Sequence, residues 1–187
     1  MKTRVALCAN KNIGLKITQF LKNHEDTEIC LLYLTGEDKA HDSRIIKSSG
    51  VKSKNIFRGN EVYKTKKHTN FFKKKKIDFL ITVYWPWILK ESFFQLAKQT
   101  INFHPSLLPM NRGWYPHVHN IIKNTKSGVT LHKISKKSAR FFPSFFKFSQ
   151  PSKGGDPNID MDIMRILSRS KDLTDRFSVK FRTVFLF

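Results

Sequence analysis

The chain has 187 residues, 40% of them hydrophobic, which is enough for one globular domain of α/β size plus a short appendage and too little for two full domains. Its 35 Lys and Arg against 14 Asp and Glu give a formal net charge of +21, so nucleic acid has to be considered as a partner. No apolar run reaches the ~18 residues of a membrane-spanning helix, and the first one turns polar at Asn10, too early for a secretory leader; a cytoplasmic protein is expected.

In chain order, the apolar run Val5 to Ala9 predicts a strand, and Ile13, Ile17, Phe20 and Leu21 then recur at helical spacing after a loop holding Asn10, Asn12 and Gly14. That loop lacks the glycine pattern of a dinucleotide site. Ile29 to Leu34 predicts a second strand, and the polar stretch from Glu37 to Phe72 supports only weak helices. Lys73 to Lys76 lie just before the third strand, Ile77 to Val83, where cations complement a helix C-terminus. The lysines therefore read as solvated helix ends rather than a nucleic-acid face. Trp87 to Ala97 has helical period, Ile101 to His104 is a brief strand stopped by Pro105, Pro116 to Ile122 opens a helix at its proline, and Val129 to Ile134 is a further strand. Strands alternating with helices predict a mostly parallel sheet flanked by helices, with its site at the carboxyl ends of the strands.

Cys8 and Cys30 lie in apolar runs and form no paired-cysteine motif, so they read as small buried hydrophobes. His117, His119 and His132 have no Cys or acid completing a ligand set, and no metal is expected. From about residue 138 the text changes character. Phe141, Phe142, Phe145, Phe146 and Phe148 crowd together without a period of two or 3.6, and a loose helical pattern follows from Ile159 to Leu167. A domain spanning 1–137 and an atypical, poorly ordered tail spanning 138–187 are the expected organisation.

The chemistry concentrates in Asn102-Phe-His-Pro-Ser-Leu-Leu-Pro109, with Arg112-Gly113 behind it. Asn102 and His104 are two apart on a predicted strand, so their side chains share a face and meet where Pro105 ends the strand. An amide N–H there can donate to a developing oxyanion, and an imidazole can move a proton near neutral pH. Arg112 is available for an anionic partner. On residue types alone, a structural role for the Asn and His stands equal to a catalytic one.

This run, with Gly128-Val-Thr-Leu-His132 further on, resembles the signature of the formyltransferases that use 10-formyltetrahydrofolate, and the likeness covers Val5 to about Ile134. The resemblance implies a Rossmann-like α/β domain, incomplete at its C-terminus, that transfers a formyl group from 10-formyltetrahydrofolate to an amine. It implies catalytic roles for Asn102 and His104, and a donor site at Tyr84, Trp85 and Trp87, whose other reading is core aromatics. Asn111-Arg-Gly-Trp-Tyr-Pro-His117 is similar to the branch acting on dTDP-linked amino-dideoxy sugars, used in lipopolysaccharide O-antigen biosynthesis. Substrate contacts are then expected at Asn10, Arg112, Gly113 and Trp114, with loop packing as the alternative. A homodimer is compatible with this reading.

The family also carries a catalytic carboxylate about eleven residues after the glycine of its Gly-Val-Thr strand. The corresponding residue is Ala139, and no Asp lies between Asp78 and Asp156. Together with the change of character near Ser138, this reads as a truncation or frame change after about residue 137, with formyl transfer weakened. Two alternatives stand beside the enzyme: a catalytically inactive remnant, and a basic nucleic-acid-binding protein whose affinity would fall steeply with salt.

Overall fold

The longest buried apolar runs become the centre of the sheet. The computed structural model describes residues 2–113, 115–126, 128–134 and 145–149. In it, β1 (Thr3–Ala9), β2 (Thr27–Leu34), β4 (Phe79–Val83) and β5 (Gln99–His104) lie side by side in parallel, with β3 (Ile56–Arg58) on the outer edge of β2. The antiparallel strands β6 (Gly128–Lys133) and β7 (Phe145–Ser149) continue the sheet past β5, giving the order β3-β2-β1-β4-β5-β6-β7. Residues 5 to 9 of β1 are wholly buried, as a strand covered on both faces requires.

Each face has its own layer of helices. On one, Ile13, Ile17 and Leu21 of α1 (Lys11–Asn23) and Ile45 of α2 (Lys39–Ser49) pack on Val5, Leu7, Leu32, Ile81 and Phe103. On the other, Phe72 of α3 (Lys66–Lys74) and Phe93 of α4 (Glu91–Phe94) pack on Ala6, Cys8, Tyr33 and Leu80. The mostly parallel sheet flanked by helices is thus the observed architecture, and both cysteines are buried and unpaired. Gly14 lets α1 approach β1 closely: a Cβ there would stand 3.0 Å from the Ala9 carbonyl carbon.

Three local expectations need correction. Trp87 to Ala97 is not one helix. Only Glu91–Phe94 is helical, and Ile88, within the expected helix, is 95% exposed. The polar stretch before Phe72 holds more than weak helices: α2 starts at an Asp38 cap, the three-residue edge strand β3 is present, and α3 starts at a Thr65 cap whose hydroxyl accepts from the His68 N–H. Phe145–Ser149, within the expected tail, forms a strand paired with β6 in the register Thr130↔Lys147. The rest of the tail, with Phe141, Phe142 and the stretch from Ile159 to Leu167, lies outside the described residues, as does the expected boundary at 137.

Candidate active site

The sheet order reverses at β1. β2 and β3 lie on one side of it, and β4 and β5 on the other. A crevice opens at such a switch point, beyond the carboxyl ends of the two central strands. Asn10 follows β1 and caps α1 there, buried, and its Nδ2 donates to the Tyr84 carbonyl at 2.9 Å across the reversal. Tyr84, just past β4, accepts this bond in a left-handed conformation with φ 51°. Trp85 and Trp87 meet edge to face with ring centroids 5.1 Å apart, and Trp85 also packs on the core beside Phe93 and Leu89.

One strand further along, Asn102 and His104 share a face of β5, while Ile101 and Phe103, which alternate with them, are buried in the opposite core. Asn102 is held from both sides. The Thr82 hydroxyl donates to its Oδ1 at 2.7 Å, and its Nδ2 donates to Nε2 of His132, its cross-strand partner, at 3.0 Å. The same Thr82 oxygen lies 3.3 Å from the Ile101 carbonyl, and the shorter contact takes the proton. One amide N–H of Asn102 is left without a partner among the described residues.

His104 is fixed by the loop that follows. Thr130 clamps that loop: its hydroxyl donates to the Ser106 carbonyl at 2.6 Å and accepts the Leu108 N–H at 3.0 Å. Asn111 ties the far end to α5 (Pro116–Ile122) and its exit, with Nδ2 against Asn120 Oδ1 and 3.0 Å from the Thr125 hydroxyl. Burial holds the His104 imidazole below its ordinary pKa, and a hydrogen bond to the Asn111 backbone partly opposes this. Nε2 of His104 is buried and has no partner among the described residues, so the bond to Asn111 runs through Nδ1–H. Nε2 then carries a free lone pair.

His132 is pushed down to about 4 chiefly by burial, which a hydrogen bond to the Lys133 backbone partly opposes and the neighbouring His104 slightly reinforces. Its Nδ1 faces the Lys133 carbonyl at 3.4 Å, which matches the neutral ring that accepting from Asn102 requires. A histidine buried neutral destabilises the fold as pH falls, because the unfolded chain takes up protons first. The stability held above about pH 6.5 should therefore drain away toward pH 4, by about 1–3 kcal/mol after allowing for the ring's partial exposure. Urea midpoints at pH 7.5, 6, 5 and 4 test this, and a midpoint unchanged between pH 7.5 and 5 would contradict it.

Of the residues singled out by sequence, Asn10, Tyr84, Asn102 and His104 thus fall at the carboxyl ends of β1, β4 and β5. Arg112 and Gly113 lie on the exposed loop, with Arg112 Nε donating to the Pro109 carbonyl at 3.3 Å and Gly113 at φ 92°. Trp114 lies outside the described residues. Sequence reasoning gave no role at the site to Thr82 or His132, both of which hold Asn102. The usable signal was that Thr130 and His132 are two apart on a strand, and so share one face of it.

Comparison with known proteins follows the same lines. A family model described as formyl transferase matches residues 5–138. The dTDP-4-amino-4,6-dideoxyglucose formyltransferase of Mycobacterium tuberculosis H37Rv is 53% identical over 34 residues, 18% of this chain and 14% of that protein. The methionyl-tRNA formyltransferase of Mycoplasma mycoides subsp. mycoides SC is 29% identical over 142 residues, 73% of this chain and 44% of that protein. The chain therefore spans less than half the length of these curated relatives. Among solved structures, a 4-N formyltransferase from Francisella tularensis has a TM-score of 0.66 at 15% identity, covering 94% of this chain and 69% of that one. Phosphoribosylglycinamide formyltransferase from Streptococcus pneumoniae has 0.65 at 15% identity, covering 90% and 94%. Identities this low show a shared fold.

Proposed function

Because the chain belongs to the formyl transferase family, we propose that it transfers a formyl group from 10-formyltetrahydrofolate to the amine of a dTDP-4-amino-4,6-dideoxyhexose. The observation that carries the chemistry is the Asn102 amide, held between Thr82 and His132 with one N–H spare beside the His104 lone pair. The amino sugar is favoured over other amines by the 53% identical segment shared with the mycobacterial sugar enzyme.

The donor brings an activated formyl carbon, and the half-buried, edge-to-face Trp85–Trp87 pair beside Tyr84 suits its flat heterocycle. Asn102 Nδ2–H donates to the formyl oxygen as the amine adds and negative charge develops there. The amide is already oriented, so little reorganisation is needed at that moment. His104 Nε2 accepts the proton that the amine sheds and returns it to N10 of the donor as the bond from N10 to the formyl carbon breaks and tetrahydrofolate leaves, while the Asn111 carbonyl supports the transient imidazolium through Nδ1–H. Asn10 and Arg112 border the nucleotide sugar, Asn10 at the switch point and Arg112 as a cation for phosphate.

No Asp lies between Asp78 and Asp156 to share the proton transfer, so turnover should be slow, about 10²–10⁴-fold below a relative that has the carboxylate. The same gap favours a second reading, a chain that binds both ligands without turnover. The test incubates the full chain with 10-formyltetrahydrofolate and, separately, dTDP-4-amino-4,6-dideoxyglucose, phosphoribosylglycinamide or methionyl-tRNA, and follows formylated product by mass spectrometry. Product from the amino sugar alone is expected. Formylation of another amine in its place would replace the substrate, and saturable binding with no product would establish the second reading.

A further inference from the structure

On the face of the sheet opposite α1, away from Asn102, a cleft of about 520 Å³ opens between β3 and α3, within the size range of small-molecule sites. Its walls include the half-buried rings of Phe57 and Phe71, with centroids 5.9 Å apart, and its rim carries the exposed Lys54, Lys67 and Lys74. His68 lines it too and is only 5% exposed.

The state of the His68 ring follows from its neighbour. Tyr33 is wholly buried, and among the described residues its hydroxyl has one partner, His68 Nε2 at 2.9 Å. Where the hydroxyl donates, its proton goes to Nε2, and because burial favours the neutral ring, the ring's own proton then sits on Nδ1. Among the described residues the buried Nδ1 has no partner, although a buried polar group left unmade is costly and native folds rarely keep one. In that tautomer His68 is a donor beside the cationic Lys54, Lys67 and Lys74, and none of the described residues lining the cleft is an acid.

We propose that this cleft is a second ligand site, which takes an oxyanion carried on an aromatic ring. The oxyanion accepts from His68 Nδ1–H and faces the three lysines, while the ring lies against Phe57 and Phe71. The oxyanion is a carboxylate or a phosphate, and the probes below tell the two apart. The site is independent of formyl transfer, since its residues lie on β3, α3 and the turn before β3 rather than at the ends of β1, β4 and β5.

The experiment uses the full chain labelled with ¹⁵N and reads the His68 imidazole by long-range proton–nitrogen correlation. His68 should carry its proton on Nδ1. Titration with phenyl phosphate or benzoate should shift that nitrogen saturably, and the tighter of the two identifies phosphate or carboxylate. Inorganic phosphate and benzyl alcohol, which each keep half of the recognised chemistry, should bind at least about tenfold more weakly. Exchanging Lys67→Ala and Lys74→Ala together removes only exposed side chains, so the fold is retained, and should weaken the aryl anion about tenfold. A proton found on Nε2, no shift with either aryl anion at millimolar concentration, inorganic phosphate binding as tightly as phenyl phosphate, or undiminished affinity in the lysine variant would each overturn the proposal.

Discussion

Asn102→Ala is expected to lower kcat/KM for formyl transfer by about 10²–10³-fold, the usual cost of deleting one pre-oriented oxyanion donor, or ~3–4 kcal/mol of barrier. The loss should fall on kcat, because the amide meets charge that exists only as the amine adds. Thr82 and His132 act on the reaction through Asn102 as positioning residues. His132→Ala should therefore cost less, about tenfold, since Thr82 still holds the amide from the other side. Single-turnover assays with enzyme in excess over nucleotide sugar make such rates measurable even when wild-type turnover is slow. An Asn102→Ala rate equal to wild type would remove Asn102 from the chemistry.

His104→Gln should cost about 10²–10⁴-fold, because glutamine fills similar space and offers no nitrogen that can take a proton. The pH profile separates this from mere disturbance of the loop. In the wild-type chain, burial holds His104 below its ordinary value of 6.5, so the rate should stay level from pH 8 to about 6.5 and fall only further into acid as Nε2 becomes protonated. The glutamine variant should be slower everywhere and should lose that acid limb. A variant that keeps the limb would mean that another group takes the proton.

What could be read from the residues depended on how locally each feature is encoded. β1, β2 and β4 were legible because strands buried on both faces are written as apolar runs, and β5 because its alternating Ile101-Asn-Phe-His104 stops at Pro105. The Asn102–His104 pair was legible because a spacing of two on a strand fixes a shared face whatever the rest of the fold does. β3 was not, being three residues of half-exposed edge with no apolar run to mark it. The misplaced helix at Trp87 to Ala97 arose because Leu89, Phe93 and Ala97 do reach one core at helical spacing, but from an irregular segment, a short helix and a bend rather than from one cylinder. The contact between His132 and Asn102 depends on β6 pairing antiparallel with β5 in one register, which no local pattern in either segment specifies.

The Asn10–Tyr84 bond that spans the switch point joins residues 74 apart in the chain. Synthesis proceeds at about 5–20 residues per second, so β1 waits roughly 4–15 s on the ribosome before its neighbour β4 has been made. During that interval β1, buried from Val5 to Ala9 in the finished fold, has only β2 and the edge strand beyond it on one side, and its other row of amides and carbonyls stays open. The nascent chain is then a natural client for a holding chaperone, and it ceases to be one when the segment around Val83 emerges from the exit tunnel and β4 closes that edge.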